Sequence, residues 1–393
     1  MTHVSKTFIL STLASALILA SNNVNAEDDT STYDDLWSYG SLYESKNSSG
    51  IQKIAFTGRL QGDAAHFEAD EGNAEGETDE FEDANWRRLR MGIKTNITKK
   101  LVFHVEADLN INNDADDTYN RLTDAYIAYT FNQHLKIKAL KQSAGFTMDG
   151  TTSSKSLLTL QRNNLTNNLW FTDEYFTGIS ASGAINSNWS YKAGIYSSND
   201  DQEIAVDGAN AFSLMHLKYK FGKSRIADKA SISLDYVHKD TDDEDGDFLD
   251  GENEKDGAPD YENIVSLHTQ MQKGKFGLSA EYAFGQGYNE TSDIWGVVVM
   301  PHFNFTTKLQ GVLRYTYIES DQANAIKLGR YEKEISSEKG DEYQEMYGGV
   351  NYFFYGHKLK WQTGVQYTEM TDSTGAVADY KGWGVTTGFR MSW

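Results

Sequence analysis

Residues 101–110, LVFHVEADLN, contain the pattern that decides the fold. Every odd position is apolar, and the even positions after Val102 carry His, Glu, Asp and Asn. Residues 309–317 (LQGVLRYTY) and 359–368 (LKWQTGVQYT) show a similar alternation. A period of two residues is typical of a β-strand with one apolar and one polar face. These stretches therefore predict strands that face hydrocarbon on one side and water on the other, as in a membrane barrel.

Similar segments recur along the chain from residue 51 to its end. They lie at residues 51–61, 86–97, 100–109, 122–131, 134–141, 175–186, 188–198, 211–221, 230–239, 261–272, 275–284, 292–302, 307–319, 343–354, 357–369 and 381–393. Short turns and long loops alternate between them, which places the long loops at one end, as in outer-membrane barrels. We predict an all-β, transmembrane antiparallel β-barrel of about sixteen strands over residues 51–393. Its longest loop, residues 142–174, is expected to fold inward as the third loop.

The first 50 residues predict export. Residues 1–26 combine Lys6, an apolar run over residues 8–20 and the small residue Ala26 at the cleavage position, as in a signal peptide. Thirteen residues at about 1.5 Å each are too short for a hydrocarbon core of about 30 Å. We therefore expect cleavage near Ala26 and a location in the cell outer membrane. Residues 27–50 have no clear period and are predicted to form a periplasmic N-terminal segment.

Composition and motifs limit the possible functions. A net charge of −21 argues against nucleic acid as a partner. Cysteine is absent, the nine histidines are scattered, and no GxSxG, HExxH or P-loop motif occurs. The sequence therefore predicts no enzyme, no cofactor and no metal site. Nine acidic residues fall within residues 68–83 and eleven within 240–260, which predicts acidic outer loops beside outer-membrane lipids and lipopolysaccharide.

The polar faces of the predicted strands are more basic than the whole chain. Strand parity predicts the following pore-lining residues: Arg59, Arg90, Lys94, Lys136, Lys138, Lys218, Lys220, Arg314, Lys360 and Arg390. Acidic residues on these faces are fewer, and rings of Arg or Lys attract anions. This predicts a channel for small anions. The alternative is a non-selective or weakly cation-attracting general diffusion porin, in which the basic side chains pair across the lumen and the acidic loops attract cations.

Four stretches, taken in order, resemble the phosphate-selective porins of the O and P type. They are residues 56–63 (FTGRLQGD), 86–92 (WRRLRMG), 123–129 (TDAYIAY) and 152–162 (TSSKSLLTLQR). The resemblance implies a sixteen-stranded barrel, a homotrimer and a third loop that narrows each pore. It also implies passive diffusion of small anions, with phosphate or related oxyanions foremost. The anion-binding residues that it implies are Arg87, Arg88, Asp124, Ser153 and Ser154.

Two features of this sequence depart from the family pattern. Anion-binding members carry a lysine shortly before the serine pair, where this chain has Asp149 and Gly150, and this leaves the solute open. Strand parity places Arg88 inward and Arg87 outward, unless a β-bulge near Trp86 shifts the register.

Overall fold

The computed structural model describes residues 30–45, 49–71, 79–169, 174–197, 203–204, 211–239, 261–288, 291–322, 325–373 and 379–393. The predicted signal peptide and the acidic stretch 240–260 lie outside these residues. Among the described residues, no helix is both long and apolar enough to cross a membrane.

Sixteen long antiparallel strands form the body of the described structure. They are β1 Ile51–Glu71, β2 Glu80–Ile97, β3 Leu101–Leu109, β4 Tyr119–Asn132, β5 Leu135–Ser143, β6 Tyr175–Ala184, β7 Trp189–Ser197, β8 Ala211–Phe221, β9 Lys229–Lys239, β10 Tyr261–Lys273, β11 Phe276–Gly287, β12 Ile294–Asn304, β13 Leu309–Ser320, β14 Glu342–Tyr355, β15 Leu359–Thr371 and β16 Tyr380–Ser392. Each strand pairs with its neighbour in the chain, and β16 pairs with β1 to close the barrel. The predicted sixteen-stranded barrel is confirmed, with its strands in the predicted order.

The two faces of the wall differ as the alternation predicted. On β3, Val105 is 53% exposed on the outside, whereas its neighbour Glu106 is only 2% exposed on the inside. Aromatic pairs gather near the short turns on the outer surface: Tyr129 with Phe131, Tyr219 with Phe221, Phe303 with Phe305, and Tyr352 with Phe354. Such pairs are typical of the aromatic girdle at a membrane interface. The outer face is therefore built for lipid.

The first hairpin is longer than the sequence predicted. Residues 62–85 were expected to be a loop, but strand pairing continues to Glu68 and Glu80. The inward-facing Ala65 and Phe67 on this extension are almost fully buried, and the Phe67 ring packs on Tyr331 at 5.4 Å. Burial of this apolar surface stabilises an extension that its acidic composition concealed.

The N-terminal segment packs at the end of the barrel that carries the short turns. Helix α1, Thr30–Ser38, is followed by a short strand, Ser41–Glu44, that pairs with the start of β1. The Trp37 indole donates to the Ser392 carbonyl at 2.6 Å, and Tyr33 stacks on Tyr355. The periplasmic position of residues 27–50 remains a prediction.

The third loop connects β5 to β6. It runs through turns from Ala144 and includes a short helix α2, Asn164–Leu169. The Asn163 side chain accepts from the backbone N–H of Thr166 at 2.8 Å, which caps this helix. Asp149 in turn accepts from the backbone and side-chain N–H groups of Asn163, both at 2.9 Å. Asp149, which stands where the resemblance implies a lysine, thus makes these hydrogen bonds within the loop.

Candidate functional site

One part of the wall holds the third loop through Arg314 on β13. Arg314 forms a bidentate ion pair with Glu345 on β14, with nitrogen–oxygen distances of 2.7 and 3.0 Å. Its remaining terminal nitrogen donates to the Thr159 hydroxyl and the Gln161 carbonyl in the loop, both at 3.0 Å. Both members of the ion pair are buried. The charge of Arg314 is therefore neutralised, and its guanidinium fastens the loop.

Lys360 on β15 and Arg390 on β16 also donate hydrogen bonds to the third loop. The Lys360 amine donates to the Leu157 carbonyl at 2.5 Å, and Arg390 donates to the Leu160 carbonyl at 3.2 Å. Arg390 also pairs with Asp63 on β1. The structure thus places three of the predicted pore-lining cations, Arg314, Lys360 and Arg390, beneath the loop.

The loop also contacts the opposite walls. The Lys192 amine on β7 donates to the carbonyl of Ala144, the first residue of the loop, and Glu281 on β11 accepts from the Met148 backbone N–H at 2.8 Å. Contacts with β7, β11 and β13–β16 are those expected of a segment that lies inside the barrel.

A β-bulge decides where the paired arginines point. In the β1–β2 ladder Gln61 lies opposite Arg88 and Gly62 lies opposite Trp86, so Arg87 is the extra residue. Trp86 is 45% exposed on the outer surface, while the electrostatic neighbours of Arg87 are Arg330, Asp63 and Tyr331 inside the barrel. Strand parity predicted an outward Arg87 unless a bulge near Trp86 shifts the register; the bulge is present, and it turns Arg87 inward.

A second bulge adds a further arginine that strand parity missed. In the β3–β4 ladder Glu106 lies opposite Asp124 and Asp108 lies opposite Arg121, with the extra residue between them. Arg121 therefore shares the inward face with Asp108. If side chains simply alternated along β4 from Asp124, Arg121 would point outward. Only the strand register shows that it points inward.

These bulges help to assemble an arginine cluster, which we define as Arg87, Arg88, Arg90, Arg121 and Arg162. Arg90 is paired with Asp108 at 3.0 Å, and Arg162 in the third loop is paired with Glu174 at 2.7 Å. Arg88 donates to the Gln61 side chain at 3.1 Å, and within the described part of the chain no carboxylate lies within 4 Å of Arg87 or Arg88. The cluster therefore carries excess positive charge.

The predicted serines differ in their surroundings. Ser154 is buried and its hydroxyl accepts from Arg59 at 2.7 Å and from the Gln61 amide at 3.4 Å. Gln61 thus bridges Ser154 and Arg88. Ser153 is exposed, and its hydroxyl accepts from the Lys155 backbone N–H at 3.4 Å.

Asp124 lies apart from the serines in its direct contacts. Its carboxylate is 3.7 Å from the His104 ring nitrogen, and Lys138, Glu106 and Arg59 are its other near charges. The structure therefore brings Arg87, Arg88 and Ser154 together through Gln61, whereas Asp124 belongs to a neighbouring group.

The remaining predicted pore-lining residues divide into two sets. Arg59 pairs with Glu106 at 3.1 Å, and Arg90 belongs to the arginine cluster. The other five have no carboxylate within 4 Å among the described residues; they are Lys94, Lys136, Lys138, Lys218 and Lys220. Lys218 and Lys220 line a lumenal cavity of about 810 Å³ under the third loop.

Lys155 carries a shifted pKa in the third loop. Burial, followed by the nearby charge of Arg59, lowers the pKa of Lys155 to about 8. The lysine beside the serine pair is therefore charged at neutral pH and loses its charge in mildly alkaline solution.

The chain matches the family model of phosphate-selective porin O and P over residues 54–391. No curated protein sequence matches it. Three solved structures share its fold at 12% identity each: the outer membrane channel DcaP of Acinetobacter baumannii, OmpF of Salmonella typhi in a complex with daunomycin, and OprB of Pseudomonas putida. Their TM-scores are 0.57, 0.58 and 0.56, over 89%, 89% and 88% of this chain and 99%, 100% and 94% of theirs.

The closed barrel and these matches define an outer-membrane porin, a channel for diffusion. Within that class, the chain belongs to the phosphate-selective porin O and P family, whose model covers nearly the whole barrel.

Proposed function

We propose that this porin conducts small anions by passive diffusion and prefers phosphate or a related oxyanion. The observation that carries the proposal is Arg88, which lies among Arg87, Arg90 and Arg162 and has no carboxylate within 4 Å in the described structure. Like charges held together in a confined site repel one another unless an anion lies between them. An anion at Arg88 would supply that charge.

The chemistry around Arg88 suits an oxyanion. Guanidinium groups bind phosphate in a bidentate manner, and the Ser154 hydroxyl lies on the same Gln61 bridge. Arg162 brings a loop cation close to Arg88, although Asp149 stands where the family has lysine. We place the proposed site at Arg87, Arg88 and Ser154, with Ser153 at its rim and Asp124 as a neighbouring acid that tunes solute entry.

A second candidate function is non-selective or weakly cation-attracting diffusion. It is favoured by the acidic mouth, where His66 lies within 4 Å of Glu68, Glu80 and Glu82. It is also favoured by Arg314 and Arg390 beneath the third loop, because carboxylates neutralise both of these arginines.

We further propose that the chain is exported and cleaved, so that the mature protein starts near Glu27. We also propose that three such chains form a homotrimer, which contacts lipopolysaccharide through its acidic rim. An outer groove of about 450 Å³ that includes Ile179, Ala181, Ala193 and Ile195 supports a subunit contact, because small residues allow close approach. The packing of α1 near the short turns supports a periplasmic N-terminal segment.

The test is conductance of the refolded chain in planar bilayers. In a potassium chloride gradient we expect an anion-selective reversal potential, and we expect added phosphate to block the chloride current. Arg88→Ala should weaken this block roughly tenfold or more, since a charge-assisted hydrogen bond contributes about 1.5–3 kcal/mol.

The matched control is Arg225→Ala, because Arg225 is exposed in the short turn between β8 and β9. This variant should keep the phosphate block. A cation-selective potential in the unaltered chain would reject the anion proposal, and an unchanged block in Arg88→Ala would reject this site.

A further inference from the structure

Three adjacent strands, β8, β9 and β10, bring two histidines and an aspartate together on the inner wall. His216 lies directly opposite Asp235, and His268 lies diagonal to Asp235 on the other side. The chain neighbours Met215 and Tyr236 are exposed on the outer surface, which places the three polar side chains inside the barrel.

The ligand atoms are close enough to share one ion. One nitrogen of each histidine and one oxygen of Asp235 all lie within 4.8 Å of one another. His268 Nε2 is 3.4 Å from Asp235 Oδ2, and His216 Nδ1 contacts the other carboxylate oxygen. With metal–ligand bonds of about 2.0–2.1 Å, two ligands of a tetrahedral ion lie about 3.3 Å apart. The pair formed by His268 and Asp235 already has this spacing.

Burial gives a second, independent indication. Asp235 is 0% exposed and His268 is 5% exposed. Within the part of the chain that the structure describes, Asp235 Oδ2 and His268 Nε2 nevertheless have no hydrogen-bond partner. Buried polar atoms are normally satisfied, so two that face each other at ligand spacing point to a missing partner.

The neighbouring charges leave room for a cation. Glu281 lies directly opposite His268 and is buried, and one of its carboxylate oxygens has no hydrogen-bond partner among the described residues. Lys192, opposite His216, directs its amine to the carbonyls of Ser143 and Ala144 in the third-loop region. Lys218, two residues from His216, is a nearby positive charge that any bound cation must tolerate.

We propose that His216, Asp235 and His268 bind a divalent transition metal of the Zn²⁺ class on the pore wall. Two imidazoles and one carboxylate form a set that Zn²⁺ accepts, and imidazole disfavours Ca²⁺ and Mg²⁺. A fourth position toward the lumen is left for water or for an oxyanion in transit. The sequence predicted no metal site, because the three ligands lie on separate strands and match no local motif. The proposal does not depend on anion selectivity.

The test is titration of the refolded, metal-free full chain with Zn²⁺ alone, followed by calorimetry, in millimolar Ca²⁺ to saturate the acidic loops. We expect one Zn²⁺ site per chain. Asp235→Asn and His268→Gln should each weaken it at least tenfold. His302→Gln, which alters a lumenal histidine bonded to Gln272, should leave it unchanged.

Heat-modifiable gel mobility reports whether each variant closes its barrel. If Asp235→Asn fails to close, His216→Gln decides, because this histidine is 19% exposed and less critical for packing. Equal Zn²⁺ affinity in the unaltered chain and in a folded Asp235→Asn or His216→Gln variant would overturn the proposal, as would no Zn²⁺ binding in the unaltered chain.

Discussion

Two regions of the inner wall carry inward-facing cations but differ in whether their arginines have carboxylate partners. The clamp wall, defined by Arg314, Glu345, Lys360, Arg390 and Asp63, holds the third loop, and both of its arginines have carboxylate partners. The arginine cluster stands on β2, β4 and the loop, and two of its members have none within 4 Å among the described residues. The sequence predicted that both regions are basic, but it did not distinguish paired from unpaired cations.

The difference teaches that the carboxylate partner decides the role of a buried arginine. Where the partner is present, the guanidinium has its charge compensated and its remaining N–H groups fasten the main chain. Where it is absent, the charge is available to a mobile anion. In the proposed function, the clamp wall holds the loop that shapes the pore, and the arginine cluster supplies the anion selectivity.

The largest expected effect comes from breaking the clamp with Arg314→Ala. Glu345 would remain as an unpaired buried carboxylate, and loss of one partner of a buried ion pair costs about 3–5 kcal/mol. We expect the free energy of unfolding in detergent to fall by this amount. Single-channel conductance should rise, because the loop loses its bonds through Thr159 and Gln161.

Arg88→Ala is the matched comparison for that experiment. Among the described residues no carboxylate lies within 4 Å of Arg88, so this substitution leaves no buried carboxylate without its partner. The free energy of unfolding of Arg88→Ala should therefore stay within about 1 kcal/mol of that of the unaltered chain. An equal loss of stability in the two variants would contradict the distinction between the two regions.

The next largest effect is expected from deletion of Arg87, which removes the bulge from β2. Gln61 and Gly62 would then lie opposite two residues that are adjacent in the chain, Arg88 and Trp86, and β2 would lose one inward positive charge. We expect a closed barrel with phosphate block weakened about tenfold, or about 1.4 kcal/mol. Arg87→Ala, which keeps the bulge, separates the effect of charge from the effect of register.

Lys360→Met sharpens the comparison inside the clamp wall. Lys360 donates to the Leu157 carbonyl but has no carboxylate within 4 Å among the described residues. Because its removal leaves no buried charge behind, we expect the unfolding free energy to change by about 1 kcal/mol or less. A loss as large as that of Arg314→Ala would show that the loop contact itself supplies the stability.

The smallest effect concerns pH and Lys155. Because the pKa of Lys155 is lowered to about 8, its charge is present below that pH and disappears as pH rises through it. We expect anion selectivity, read from reversal potentials, to decline between about pH 7 and 9. Lys155→Arg should abolish this decline by keeping the charge, and Lys155→Gln should hold selectivity at the lower, alkaline level at every pH.

The lowered pKa of Lys155 also determines how this group changes the stability of the barrel with pH. The unfolded chain binds the Lys155 proton more tightly than the folded chain between pH 8 and the ordinary value of 10.5. This group therefore makes the barrel more stable as pH rises through that window. A fall in stability that is specific to Lys155 over this range would contradict the shifted pKa.

The sequence by itself determined the barrel, the strand order and the inward basic faces. Alternation such as that of residues 101–110 is sufficient, because a strand between lipid and water must present opposite chemistry on its two faces. It also placed Arg88 inward correctly, and the resemblance drew attention to the loop that contains Ser154 and Arg162.

Only the tertiary structure decided which cations are neutralised and which are not. Arg87 and Arg121 face inward because bulges shift the register, and a single extra residue reverses every parity assignment beyond it. The partners of Arg314 and Arg390 come from neighbouring strands and a distant loop, and Asp235 and its two histidines stand on three adjacent strands. Such partnerships depend on strand register and chain closure, which no local pattern in the sequence specifies.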